Sequence, residues 1–244
     1  NSGLTELREA ISDDLYRRYR VRYDPNSEII ATVGCSEALF LALAALIDPG
    51  DEVIVITPCF VAYQASVLLA SGVVVEVPCK FENNFDLDIA AVEAAITPKT
   101  KAILLGFPCN PTGAVASREE LQKLCDIAVA HNLAIVSDEL YDQLVYGIEH
   151  VCVPSLNGGF ERTMLVGGFS KNYAMTGFRI GYLVAPAPLM DGAYKIHQYL
   201  IMSAPTIAQY GALAAIENGQ EDAKRMHDEY DRRRHLVVDG LRSI

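Results

Sequence analysis

A lysine that follows an apolar run and sits among glycines is placed to meet a small ligand rather than bulk water. Lys171 is such a residue. The apolar residues 163–166 lead into Gly167-Gly168-Phe169-Ser170-Lys171-Asn172-Tyr173-Ala174-Met175-Thr176-Gly177-Phe178-Arg179-Ile180-Gly181-Tyr182. Ser170 precedes the lysine, and Arg179 follows at eight positions. Most lysines are solvated surface residues, so this stretch gains meaning only from what stands after the other apolar runs.

In an open parallel sheet, ligands bind beyond the carboxyl ends of the strands. After the first apolar run comes Gly34-Cys35-Ser36-Glu37-Ala38, opening a helix. Strand, glycine and helix N-terminus form an anion site through free N–H groups and the helix dipole. Ser36 equally suits a plain N-cap. After the second run comes Thr57-Pro58-Cys59-Phe60, and after the fourth Gly106-Phe107-Pro108-Cys109-Asn110-Pro111-Thr112-Gly113. Asn-Pro-Thr-Gly is also ordinary turn chemistry. After the fifth comes Ser137-Asp138-Glu139-Leu140-Tyr141. A carboxylate directly after an apolar run is costly to desolvate unless paired. Asp138 and Tyr141 reach one ligand if a turn follows, with helix capping as the competing explanation. Together the strand ends supply a phosphate cradle, an aromatic, an amide, a carboxylate, a phenol, an amine and a guanidinium. No G-x-G-x-x-G or G-x-x-x-x-G-K-[ST] occurs. The set fits a cofactor with one phosphate, a flat ring, a basic ring nitrogen and an aldehyde.

The elements that must position these groups are legible as alternation. Short apolar runs at 29–33, 53–56, 73–77, 102–105, 134–136, 164–166 and 180–184 predict seven strands, several buried on both faces. Between them, Leu39, Phe40, Leu43, Leu46 and Ile47 form a helical apolar face that stops at Asp48-Pro49-Gly50. Ser117 and Glu120 form a capping box ahead of Leu121, Leu124, Cys125, Ala128 and Val129. Helices are also expected over 5–19, 62–70 and 87–96. The pattern predicts a three-layer α/β/α fold with a mainly parallel seven-stranded sheet. After Ala185, helices are expected over 189–202, 205–217 and 222–244, the last with Met226, Tyr230, Val237 and Leu241 roughly on one face. It reaches Arg242-Ser243-Ile244 with no stop signal, which suggests a piece of a longer protein.

Composition narrows the function. In 244 residues the chain is 51% hydrophobic and 21% charged, as expected of a globular chain. A net charge of -11 argues against a general nucleic-acid or anionic-membrane surface. The six cysteines include no C-x-x-C pair and fit no zinc pattern, so no metal site is expected and the thiols read as free, in a reducing cytoplasm. No apolar run is long enough to span a membrane, and Asn1-Ser2-Gly3-Leu4 does not read as a signal peptide.

The chain resembles the class I/II aminotransferases, fold-type I enzymes that use pyridoxal 5′-phosphate. The resemblance is carried by Gly34 to Ala38, Asp48-Pro49-Gly50-Asp51-Glu52-Val53, Asn110-Pro111-Thr112-Gly113, Asp138-Glu139-Leu140-Tyr141 and Ser170 through Tyr182. It covers essentially the whole chain, in family order, and is strongest toward the branch with aspartate, aromatic and alanine aminotransferases. By that resemblance, Lys171 forms a Schiff base (an imine) with the cofactor aldehyde and moves the proton during amino transfer between an amino acid and a 2-oxo acid. Asp138 pairs with the pyridine nitrogen, and Tyr141 and Asn110 bond the ring's phenolic oxygen. Phe60 stacks on the ring, where families often carry Tyr or Trp. Gly34, Cys35, Ser36, Ser170 and Arg179 hold the phosphate. Gly168 stands where the family usually has the first serine of Ser-x-Ser-Lys, so one phosphate hydroxyl is absent.

The resemblance further implies a homodimer in the full-length protein. It divides the chain into an N-terminal helix at 1–20, a cofactor-binding large domain at 21–220, and the start of a helix at 221–244 leading to a small domain beyond it. The arginine that grips the substrate carboxylate belongs to that small domain in the family, so this piece alone is expected to turn over weakly or not at all. Two alternatives share the fold: a β-lyase using the same lysine, and a cofactor-sensing domain of a transcription regulator.

Overall fold

The computed structural model describes all 244 residues, Asn1–Ile244. Seven strands form one sheet: β1 (Ile29–Thr32), β2 (Glu52–Thr57), β3 (Val73–Pro78), β4 (Thr100–Gly106), β5 (Ala134–Asp138), β6 (Thr163–Gly168) and β7 (Gly181–Val184), in the order β1-β7-β6-β5-β4-β2-β3. Strands β3, β2, β4, β5 and β6 pair in parallel, and β7 is antiparallel to both β6 and β1. The sheet is thus the seven-stranded, mainly parallel one expected.

Helices cover both faces because successive strand side chains point to opposite sides. Val53 and Val55 of β2 join a core with Leu41 and Val67, while Ile54 and Ile56 join another with Leu121 and Leu124. The first core is closed by α2 (Gly34–Leu46), α3 (Ala62–Leu69) and α6 (Ala187–Leu200). The second lies under α4 (Ile89–Ala94) and α5 (Arg118–Ala130). A third core packs α1 (Thr5–Tyr19) and α7 (Thr206–Asn218) on the same side as α5, through Leu7, Ile11, Leu15, Ala208 and Ala212. The capping box forms as expected: the Ser117 hydroxyl accepts the Glu120 N–H at 3.2 Å, and the Glu120 carboxylate accepts the Ser117 N–H at 2.8 Å.

Three expectations need correction. The helix expected over 87–96 contracts to Ile89–Ala94, because the Asp88 side chain caps it by accepting the Ala91 N–H at 3.0 Å. Strand β3 is apolar but not buried on both faces: it is an edge, and Val73 is 46% exposed. Helix α8 (Gln220–Arg242) buries none of its residues, the apolar face expected on it included. No helix is long and apolar enough to cross a membrane.

Candidate functional site

The carboxyl ends of β2, β4, β5 and β6 face the first turn of α2 across a cavity of about 200 Å³. Nine of the ten residues singled out from the sequence line it. From α2 come Cys35 and Ser36; from the loop after β2 comes Phe60; from the loop after β4 comes Asn110. The end of β5 brings Asp138 and the turn after it Tyr141, and the loop after β6 brings Ser170, Lys171 and Arg179. Asn110, Tyr141, Ser170 and Lys171 also border an adjoining, more open cavity of about 750 Å³. The tenth residue, Gly34, lies behind the cavity wall. Its φ is +71°, and a Cβ there would come within 2.6 Å of Arg179 Nη2. Glycine therefore lets the helix start and the guanidinium approach each other.

At the α2 end the helix begins at Gly34, with Val33 as its flanking residue and no side-chain cap. Ser36 therefore does not serve as an N-cap, the alternative its position left open. The amides of the first helical turn have no intrahelical acceptor, and the Arg179 guanidinium lies beside them. Arg179 Nη1 donates to Thr176 O at 3.0 Å, which fixes the side chain's direction. The Cys35 thiol points away, donating to Gly167 O at 3.1 Å, and burial pushes it well above its ordinary range. Cys35 thus offers the cavity its backbone.

Asp138 closes β5 at the opposite wall. Its Oδ2 accepts the Tyr63 hydroxyl at 2.8 Å, and its Oδ1 accepts the Leu140 N–H at 3.1 Å. Burial pushes the carboxyl up from 3.8 to about 6, with the Tyr63 and Leu140 hydrogen bonds opposing the rise. A turn follows at once, so Tyr141 comes to the same cavity rather than onto a helix. Lys171 Nζ lies 5.6 Å from the Tyr141 ring centroid. The side chains of Ser36, Asn110, Ser170 and Lys171 have no hydrogen-bond partner within the chain, although all border the cavity. The Phe60 ring is 40% exposed and meets Tyr63 edge-on, with centroids 6.1 Å apart.

Sequence reasoning missed Tyr63. It stands three positions after Phe60 at the start of α3, and that aromatic pair at helical spacing was the available signal. Thr176 was also missed as a lining residue. In the larger cavity, Tyr146, Tyr230 and Arg234 contribute from elements not connected with the site in the sequence.

The family model for aminotransferase class I and II matches residues 1–244. The protein YugH of Bacillus subtilis (strain 168) is 47% identical over 244 residues, which are 100% of this chain and 63% of that protein. An aspartate aminotransferase of Pyrococcus abyssi is 42% identical over 247 residues, 64% of its length. Among solved structures, the aromatic aminotransferase from Pyrococcus horikoshii OT3 superposes with a TM-score of 0.96 at 39% identity, covering 100% of this chain and 66% of that one. The chain therefore spans less than two thirds of each of these relatives.

Proposed function

Because the chain belongs to the class I and II aminotransferase family, we propose that it forms the cofactor-binding part of an enzyme moving an amino group between an amino acid and a 2-oxo acid. The observation that carries this is the Lys171 amine, unpaired within the chain, in one cavity with Tyr141 and a half-buried carboxylate that lacks a cation.

The residues present fit pyridoxal 5′-phosphate. Gly34 leaves no room for a Cβ beside the Arg179 guanidinium, so a cation and the free amides of a helix N-terminus converge, as a phosphate needs. At the other wall, Asp138 is held near 6 by burial, and a cationic ring nitrogen is the partner that would relieve it. When bound, the cofactor supplies an electron-withdrawing ring that stabilises negative charge on the substrate Cα.

The chain's own groups divide the remaining work. Ser36, Ser170, Arg179 and the amides of Cys35 and Ser36 hold the phosphate, with Gly34 leaving the room for Arg179 to approach them. Phe60 covers one ring face and keeps water from it. Asn110 and Tyr141 orient the ring through its phenolic oxygen, and Asp138 orients it through the nitrogen. Lys171 Nζ would hold the cofactor aldehyde, and as a free amine it would be the base that takes the proton from the substrate Cα. Residues 21–220 form the cofactor-binding unit, residues 1–20 a helix packed on it, and 221–244 a helix leading onward. The active enzyme is a homodimer.

Mixing the chain with pyridoxal phosphate is expected to give a visible absorption band that Lys171→Ala abolishes. A chain that gives no such band, or a band that survives Lys171→Ala, refutes the proposal. In the full-length enzyme, release of ammonia in place of amino transfer would make it a lyase.

A further inference from the structure

Two of the cavity's residues are each followed in sequence by a buried polar residue, and those two followers are bonded to each other. Tyr141 is followed by Asp142 and Lys171 by Asn172, both 6% exposed. Asn172 Nδ2 donates to Asp142 Oδ1 at 2.6 Å. Sheet pairing of β5 with β6 ends at Asp138 and Val166, with one more bond from the Glu139 N–H to Val166 O at 2.9 Å. Past that point no backbone bond joins the loop carrying Tyr141 to the loop carrying Lys171. The Asp142–Asn172 bond is thus a side-chain tie between the two loops where the sheet no longer holds them.

The tie is itself anchored from a third element. Asp142 Oδ2 accepts the Tyr19 hydroxyl at 2.8 Å and pairs with the Arg18 guanidinium, both at the end of α1. Arg18 also pairs with Asp14 at 2.6 Å. Burial works to raise the Asp142 carboxyl, but the Arg18 charge, assisted by His150, outweighs it and holds the group below its ordinary 3.8. Asp142 is therefore a buried anion with its charge met inside the protein, able to accept strongly from Asn172.

We propose that Asp142 and Asn172, anchored by Arg18, are positioning residues that fix the separation and orientation of Tyr141 and Lys171. This rests on the reading of Lys171 and Tyr141 as cofactor-site groups. Neither positioning residue lines the cavity. Each acts through the peptide bond to its neighbour, and a displacement of about 1 Å at a reacting group lowers turnover on the order of 100-fold.

The test uses the whole chain with Asn172→Ala, which removes the donor, and Asn172→Ser, which keeps a shorter one. The first readout needs no cofactor: the rate at which acetic anhydride acylates Lys171, measured by mass spectrometry against the exposed Lys195 in the same sample. Asn172→Ala is expected to change the relative rate by about threefold or more, a part of the roughly 100-fold that a displacement of about 1 Å costs a reacting group, with Asn172→Ser in between. The second readout is the pH midpoint of the visible band with pyridoxal phosphate, expected to move in Asn172→Ala and to recover in part in Asn172→Ser. A lower melting temperature with both readouts unchanged means a purely structural bond and overturns the proposal. If Asn172→Ala does not fold, Asn172→Ser decides by the same two readouts. A wild-type chain with no Lys171-dependent band would sink the function proposed above, yet the acylation ratio would still report on the tie.

Discussion

Asp138 links the proposed chemistry to stability in a way that can be measured without substrate. Its carboxyl stands at about 6 in the folded chain against an ordinary 3.8, chiefly because of burial. The folded state therefore holds a proton that the unfolded state releases. Below about pH 3 both states are largely protonated and Asp138 has little influence on folding. As pH rises from about 4 to about 6, only the unfolded chain ionises there, and stability falls. Above that window the folded carboxylate is ionised too, and the accumulated loss is about 3 kcal/mol. This is a ceiling, because water in the cavity reaches one side of the group and screens it. Asp138→Asn removes the titration while keeping both contacts: its oxygen can accept the Leu140 N–H, and its amide can donate to the Tyr63 oxygen. Urea unfolding of the two proteins at pH 4 and pH 8 is the assay. The variant should gain up to about 3 kcal/mol over the wild type at pH 8, and that advantage should fall to about 0.5 kcal/mol at pH 4, where the unfolded carboxyl is only part-ionised. Pyridoxal phosphate should flatten the wild-type dependence, since a cationic ring nitrogen favours the ionised carboxylate. A difference between the two proteins that stays constant from pH 4 to pH 8 would refute the reasoning.

Two further outcomes follow from the α2 end of the site. Gly34→Ala places a Cβ at a φ of +71° and 2.6 Å from Arg179 Nη2, so it should lower stability by about 1–2 kcal/mol as judged by urea unfolding. By displacing the guanidinium it should also weaken pyridoxal phosphate binding roughly tenfold or more, measured by absorbance titration. His197→Ala removes the partner that lies 2.7 Å from Glu37 at a site where both side chains are almost wholly buried. Glu37 would keep only the Val33 N–H, and the loss should be about 3 kcal/mol, with His197→Gln recovering part of it in the same unfolding assay.

The sheet was legible because double-sided burial writes itself into composition. Val53 to Ile56 is apolar throughout since alternate residues enter different cores. The same rule misled at β3, where an apolar edge strand leaves Val73 exposed. An edge differs from a centre by its neighbours, which local sequence does not name. The antiparallel setting of β1 and β7 was equally hidden, since direction depends on how the chain returns. At the site, nine residues were legible as strand-end positions, and they share a cavity because strand ends do. Tyr63 and the Asp142–Asn172 tie were not, because each joins side chains far apart in sequence, 75 and 30 residues respectively. No local pattern marks which of many buried polar residues will meet.

The segment after β5 shows how the structure can assign a role that the sequence leaves open. It carries three acids within five residues: Asp138, Glu139 and Asp142. By sequence alone any of them could face a ligand. Glu139 is bonded inside the protein, to His150 at 2.8 Å, the Ser137 hydroxyl at 3.0 Å and the Val153 N–H at 2.9 Å. Asp142 has Arg18, Tyr19 and Asn172. Asp138 has only neutral donors, and burial leaves its carboxyl raised where the Arg18 charge leaves that of Asp142 lowered. Two carboxylates on one short turn are thus pushed in opposite directions by their surroundings. The one without a cation borders the cavity, and a positively charged ligand atom is what its environment lacks. The one with a cation sits behind the cavity wall, where a fixed charge can hold neighbouring loops without competing for the ligand.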